Sequence, residues 1–172
     1  MNDTRDAERF HAVVHRWLTP VHRHVTLVYP YANTDEIVRD VFRHVATGIE
    51  LRLAPTERSM LYRLARVAVQ RRSHGSTAFR QRNADAVALA TRDAATHLVG
   101  PSRLATERTL DALYQLSLDD REVLRLLTVD SLEIDELAWV LDLDYSTADS
   151  RVATAHETLR ELVLLEHGGP DE

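Results

Sequence analysis

The chain has 172 residues, of which 44% are hydrophobic, so it is long enough and apolar enough to bury a core. It contains no cysteine, which excludes a disulfide framework and a zinc site built from thiolates. The N-terminus carries acids rather than an apolar run, and no stretch approaches the length of a membrane span. We therefore expect a cytoplasmic protein with no membrane partner.

Charge is distributed unevenly along the chain, whose net charge is −6. The first half, residues 1–92, holds fifteen arginines and nine acids, whereas the second half, residues 93–172, holds six arginines and eighteen acids. Such asymmetry suggests that the halves face different partners, and the basic half is the better candidate for contact with a phosphate backbone. The alternative is that surface charge serves solubility and its sign has drifted.

Apolar periodicity and the small number of glycines and prolines predict three or four helices in the first half. The first runs from about Thr4 to Leu18, and Pro20 is expected to restart it. Asn33 has Glu36 three residues after it, which is the spacing of a capping box and predicts the start of a second helix.

The third helix is predicted to begin at Pro55 and to stop near Gly75. Beyond it the chain is polar or alanine-rich as far as Gly100 and Pro101. Ala84 to Leu98 could be helical, but the apolar face of such a helix would be thin, so we interpret residues 84–103 as a linker.

The second half is predicted to end in a helix-turn-helix at residues 130–165. It follows a leucine-rich helix and a shorter helix capped by Ser117. In both segments of the helix-turn-helix, apolar residues recur at three- and four-residue steps. Asp142 tolerates the left-handed backbone that ends the first segment, and Asp144 suits the N-cap of the second.

Three stretches in this order carry a resemblance to a known family. They are TDEIVRDVFRHV at 34–45, SMLYRLARVAVQRR at 59–72, and the segment at 113–160 that includes the helix-turn-helix. Together they resemble the extracytoplasmic-function (ECF) subgroup of bacterial sigma-70 factors, over about residues 6–83 and 104–165.

The resemblance implies an all-α fold of two small helical domains. Region two of the family would occupy residues 1–83 and region four residues 104–165. The linker at 84–103 would join them, and a flexible tail would follow at 166–172.

The resemblance also implies that the protein binds core RNA polymerase and promoter DNA. Contacts with the β′ clamp would come from one segment of region two, and region four would meet the β flap. The residues at the clamp-binding positions are Asp35, Glu36, Arg39, Asp40 and Phe42. Acids that merely stabilise a helix N-terminus are the alternative interpretation of this segment.

The promoter contacts implied by the resemblance fall in two groups. Contacts with the −10 element would come from Tyr62, Arg63, Arg66, Arg71 and Arg72, where Tyr62 could stack on an unpaired base. Contacts with the −35 element would come from Tyr145, Ser146, Thr147, Ser150 and Arg151. The alternatives are a solvated arginine face with a partly buried Tyr62, and a surface ion pair between Arg151 and Asp149 or Glu157.

The chain departs from the family's pattern at several positions. Arg39 replaces a glutamine, Met60 a tryptophan and Val67 an asparagine, while Asp149 stands where the family usually has lysine. A carboxylate aimed at phosphate adds repulsion and releases no counterion. We therefore expect weak −35 binding, or a region four that serves mainly as a protein-binding surface.

Neither an enzyme nor a metal protein is expected from the sequence. It holds no Ser/His/Asp arrangement and no glycine loop that could cradle a phosphate, so no cofactor is expected either. His11 and His15 lie one helical turn apart and could share a metal with His22 or His24, but no carboxylate stands at a matching spacing.

These observations leave three functional hypotheses. The first is an ECF-type sigma factor that directs promoter-specific transcription, with an anti-sigma factor or another regulatory protein as a further candidate partner. The second is a degenerate sigma-like protein that acts as a protein-interaction module with little DNA binding. The third is an ordinary helix-turn-helix repressor that works as a dimer.

Overall fold

The computed structural model describes residues 3–47, 54–95 and 101–165. These residues form helices and no strand, which confirms the predicted all-α class. The predicted tail at 166–172 lies outside them. The helices are α1 (Asp3–Val28), α2 (Thr34–Ala46), α3 (Glu57–Ser73), α4 (Thr77–Ala95), α5 (Pro101–Gln115), α6 (Leu118–Thr128), α7 (Ile134–Leu141) and α8 (Tyr145–Leu165).

Helix α1 continues without a break through Pro20, so the predicted restart at that residue is wrong. A proline inside a helix costs about 3 kcal/mol because it removes one hydrogen bond and crowds the preceding turn. Val13, Val21 and Val25 lie on both sides of Pro20 and are all buried. Burial of this apolar face therefore holds the helix together across the proline.

The start of α2 agrees with the prediction only in part. The side chain of Asn33 accepts a hydrogen bond from the Glu36 backbone amide at 3.3 Å, so it is the N-cap. The Glu36 carboxylate pairs with Arg72 at 2.6 Å instead of returning to the cap. The capping box is thus replaced by a tertiary ion pair.

Helix α3 begins two residues later than the sequence predicts. Thr56 is its N-cap and forms a reciprocal capping box with Ser59, so Pro55 lies just before the cap rather than in the first turn. The helix ends as predicted, because His74 and Gly75 both have positive φ.

The segment interpreted as a linker is largely helical where the structure describes it. Helix α4 covers its first part and α5 starts at Pro101. The apolar face of α4 is thin, but the helix also buries Asn83. The Asn83 side chain accepts a hydrogen bond from the Tyr31 amide at 3.0 Å and so links α4 to the segment after α1. The pattern of apolar residues could not indicate this hydrogen bond, because it is made by a polar side chain.

The helix-turn-helix has the predicted geometry. Helix α7 ends at Leu141, and its C-cap Asp142 has a φ of 62°. Asp144 accepts from the Thr147 amide at 2.8 Å at the start of α8. Ala148 and Ala155 of α8 are fully buried, which lets the helix backbone approach its neighbours closely. Ser117 likewise caps α6 as predicted.

Most of the buried apolar side chains of both halves belong to one continuous cluster. Helix α3 packs against α7, and α4 contacts α6. The division into two domains stays a prediction. Within the described residues, no helix combines the length and the apolarity that crossing a membrane would require.

Candidate functional site

The basic face of α3 lies against the acidic helices of the second half. Among the described residues, four arginines of the first half form ion pairs with acids of the second. The pairs are Arg58–Glu136, Arg63–Asp142, Arg66–Glu122 and Arg80–Asp119. The uneven charge of the sequence therefore has a structural counterpart, in that each half supplies counter-charges for the other.

Arg63 reaches the C-terminal end of α7. Its Nη1 donates to the Trp139 carbonyl at 2.6 Å, and its Nη2 lies 2.5 Å from the Asp142 carboxylate. The guanidinium also lies 5.1 Å from the centroid of the Trp139 ring. A cation at a helix C-terminus is also favoured by the helix dipole, which adds a fourth effect to the hydrogen bond, the ion pair and the ring contact that hold Arg63.

Arg66 and Glu122 form a more enclosed pair. Their side chains are only 20% and 17% exposed, and Nε of Arg66 donates to Glu122 at 3.0 Å. Screening by water is weaker at such a site than at the surface, so removal of either partner would leave the other charge partly buried and without its counter-charge. Arg80 approaches the same carboxylate at 3.9 Å.

Tyr62, predicted to stack on a base, is buried and stacks on a histidine. Its ring lies 3.9 Å from the ring of His24, and the two planes are within 6° of parallel. Nδ1 of His24 lies 3.1 Å from the Asp130 carboxylate of the second half. Burial raises the pKa of Tyr62 to about 12, so its hydroxyl is neutral and its ring is not accessible to DNA in this arrangement.

The remaining −10 candidates lie at the C-terminal end of α3. Arg72 pairs with Glu36 and Asp40 of α2, and its guanidinium holds the pKa of the Asp40 carboxyl below its usual range. Arg71 is exposed and has no ion-pair partner among the described residues. Arg71 is thus the one −10 candidate that is presented to solvent without a described ion pair.

The five candidates for polymerase binding do not share one surface. Asp35 and Arg39 are exposed, and Asp35 lies 3.5 Å from His22. Glu36 and Asp40 are engaged by Arg72, as described above. Phe42 is buried in the core, so its side chain supports α2 rather than facing a partner.

The −35 candidates lie together at the start of α8. Tyr145, Ser146, Ser150 and Arg151 are exposed, and Thr147 is partly so. The Ser146 and Thr147 hydroxyls both donate to Asp144, which draws them toward the cap. These contacts lower the pKa of the Asp144 carboxyl.

Arg151 does not form either of the surface ion pairs considered as alternatives. Glu157 pairs with Arg160 at 2.6 Å, and among the described residues no ion pair joins Arg151 to Asp149 or Glu157. The positive charge of Arg151 contributes to lowering the pKa of Asp119, after the larger effect of Arg80. Its guanidinium is accordingly available on the exposed surface of α8.

Several residues that join the halves were not singled out from the sequence as site residues. They include Arg58, Glu122, Asp130 and Glu136. The signal that could have indicated them is the opposite net charge of the two halves, interpreted as mutual attraction rather than as a sign of separate partners.

The described residues contain no group of three or more histidines and acids arranged as a metal site would be. His22 and His24, considered as ligands, lie against Asp35 and Tyr62 respectively. No family model matches the chain, and no curated protein matches it either.

Proposed function

We propose that this protein is an ECF-type sigma factor that works in the cytoplasm. It binds core RNA polymerase and directs initiation at a specific class of promoters. The observation that best supports this proposal is the geometry of α7 and α8, in which the first turn of α8 is exposed. The DNA-contacting positions of a helix-turn-helix lie in that turn.

The mechanism is recognition and strand capture, without covalent chemistry. Tyr145, Ser150 and Arg151 provide donors and an aromatic edge for the major groove. The arginines of α3 then exchange carboxylate partners for phosphates. Each released ion pair exposes one more cation to the DNA backbone. Because the carboxylate partners of Arg63 and Arg66 belong to the second half, the halves must separate before the −10 element is held.

Transcription from fragmented genomic DNA of the source organism tests the proposal. Purified core polymerase is used with and without the protein, and the transcript starts are sequenced. New starts that share an upstream element are the expected result. Arg151→Ala should reduce them, whereas Arg160→Ala at the far end of α8 removes the same charge and should not.

The second candidate function is a sigma-like interaction module that does not read promoters. The specific observation in its favour is that Arg63, Arg66 and Arg72 are all engaged by carboxylates, while Tyr62 is buried. Co-purification with core polymerase but no new transcript starts would favour this module over the sigma factor. Sequence-specific binding without polymerase would contradict both.

A further inference from the structure

A large cleft lies between the two halves. Its volume is about 990 Å³, at the upper end of the roughly 300–1,000 Å³ that is common for small-molecule sites. The end of α1 and parts of α3 and α4 form one side, and α5, α6 and α8 form the other. The cleft is separate from the exposed start of α8.

The walls of the cleft are mainly apolar and come from both halves. The apolar and aromatic side chains that line it include Tyr29, Val69, Phe79, Leu110, Leu113 and Leu124. A hydrocarbon placed here would leave water for an apolar surface, which is favourable in proportion to the area covered. The walls therefore favour a ligand that is rich in carbon and hydrogen.

Two further apolar side chains at the cleft remain exposed, one from each half. Leu27 of α1 is 45% exposed, and Val129, the C-cap of α6, is 54% exposed. Exposed apolar side chains need no explanation when they are scattered singly, but these two adjoin an apolar cavity. Folding of the chain thus leaves the apolar surface of the cleft open to a ligand.

Several polar side chains that line the cleft are bonded within their own helices. The hydroxyls of Thr26, Ser73 and Thr128 donate to backbone carbonyls of the preceding turn, at 2.9, 3.2 and 2.7 Å. Nδ2 of Asn83 donates to the Phe79 carbonyl at 2.8 Å. A ligand is therefore not required to supply partners for these groups.

Two basic side chains of the first half also line the cleft, and both have counter-charges in α6. Nε of Arg66 donates to Glu122 at 3.0 Å, and Arg80 pairs with Asp119. A charged ligand would have to displace one of these partners or be buried without a counter-charge. Either event is costly.

Arg121 and Arg125 of α6 line the cleft as well, but the Nη1 atom of each is enclosed by protein. Nε of Arg121 donates to the Leu116 carbonyl at 3.1 Å, and its guanidinium lies 5.9 Å from the centroid of the Tyr114 ring. These nitrogens are therefore not presented to a ligand as a binding site for an anion.

We propose that the cleft binds one uncharged, hydrocarbon-rich small molecule. The apolar walls match such a molecule, and the paired charges exclude an ionic one. A polar molecule would lose hydrogen bonds to water that these walls cannot replace. Because the walls belong to both halves, the ligand is held while the halves lie together, and it stabilises the arrangement in which Arg63 and Arg66 are paired.

A matched pair of fluorescent probes tests the preference for an uncharged ligand. N-phenylnaphthylamine is uncharged at neutral pH, and anilinonaphthalenesulfonate has the same ring system with one sulfonate added. In titrations of the full chain, we expect saturable binding of the uncharged probe at one site per chain. The sulfonate should bind at least about tenfold more weakly, because its charge would be buried without a partner. Equal or tighter binding of the sulfonate, or no saturable binding of the uncharged probe, would overturn the proposal.

Substitutions test whether the uncharged probe lies in this cleft. Leu27→Asp and Val129→Asp each place a carboxylate at the cleft, one from each half, and should weaken binding at least about fivefold. Leu18→Asp is the matched control, because Leu18 also belongs to α1 and is equally exposed at 45% but does not line the cleft. A control as weak as Leu27→Asp, or unchanged binding by both cleft variants, would contradict the proposal. If a cleft variant fails to fold, the comparison of the two probes on the unaltered chain decides.

Discussion

The buried carboxylate of Glu136 in α7 pairs with the partly exposed guanidinium of Arg58 in α3, with Oε2 and Nη2 2.5 Å apart. Burial alone would raise the pKa of Glu136, but hydrogen bonds from Arg58, Thr56 and the Glu133 amide outweigh it and lower the pKa. Glu136 is therefore ionised at neutral pH although its side chain is only 3% exposed. A buried charge in this position depends on all of its donors being present.

Glu136→Gln should destabilise the protein by about 3 kcal/mol, because it leaves the Arg58 guanidinium without a counter-charge. Urea unfolding followed by circular dichroism measures the change. Glu161→Gln on the exposed side of α8 is the control and should change the free energy of unfolding by less than about 0.5 kcal/mol. Equal effects of the two substitutions would show that the ion pair contributes little.

Stability should fall with acidification because of His24. Burial lowers the pKa of His24 from its ordinary value of 6.5, and this outweighs the opposing effects of Asp130 and Glu122. Arg125 lowers it further. The folded state therefore resists protonation more than the unfolded state does. The stabilisation is present above about pH 6.5 and is lost as the pH falls through the pKa of the folded protein.

Urea titrations at intervals between about pH 5 and pH 8 measure this dependence. The free energy of unfolding of the unaltered chain should decrease toward pH 5. His24→Gln cannot be protonated in this range but can still donate toward Asp130, so its profile should be flatter. Parallel profiles for the two proteins would assign the dependence to other groups.

Release of the α3 arginines should increase the affinity for single-stranded DNA. In Glu122→Gln combined with Asp142→Asn, Arg66 and Arg63 keep hydrogen-bond acceptors but lose their counter-charges. We expect roughly fivefold tighter binding to an oligonucleotide at low salt, with a steeper dependence on salt concentration. Fluorescence anisotropy measures both quantities.

The matched control is Glu8→Gln combined with Glu161→Gln. It changes the net charge equally, but both residues are exposed and outside the interface between the halves. If the control binds DNA as tightly as the interface variant, overall charge rather than released arginines accounts for the affinity.

Asp149 should oppose DNA binding by α8. Its side chain is exposed next to Ser150 and Arg151, so a carboxylate would face any bound phosphate. Asp149→Lys should tighten binding to double-stranded DNA by roughly fivefold or more, since a charge contact near 4 Å in water amounts to about 1 kcal/mol. Glu161→Lys near the other end of α8 has the same charge change and should have a smaller effect. The reverse order would place the DNA contact elsewhere.

The local features of the fold could be predicted from short-range chemistry. The caps at Asn33, Ser117 and Asp144 and the left-handed Asp142 depend on a few neighbouring residues, so sequence spacing suffices to indicate them. Pro20 was interpreted wrongly because its local cost is outweighed by valines that are buried by tertiary packing.

The environment of the candidate site could not be predicted in the same way. Whether Arg63 or Arg66 faces solvent or a carboxylate depends on residues 79 and 56 positions away in the chain. Sequence periodicity places both arginines on α3 but carries no information about the helix that packs against them. The burial of Tyr62 beneath His24 could not be predicted for the same reason, because stacking between rings of two different helices produces no pattern in the local sequence.

The ion pairs between the halves link two binding equilibria. Any anion that binds Arg63 and Arg66 must displace Asp142 and Glu122, and any cation that binds those acids must displace the arginines. By thermodynamic reciprocity, each ligand then increases the affinity for the other by the same factor. A basic partner that binds the second half would thus increase the affinity of the first half for anions, without contacting the first half.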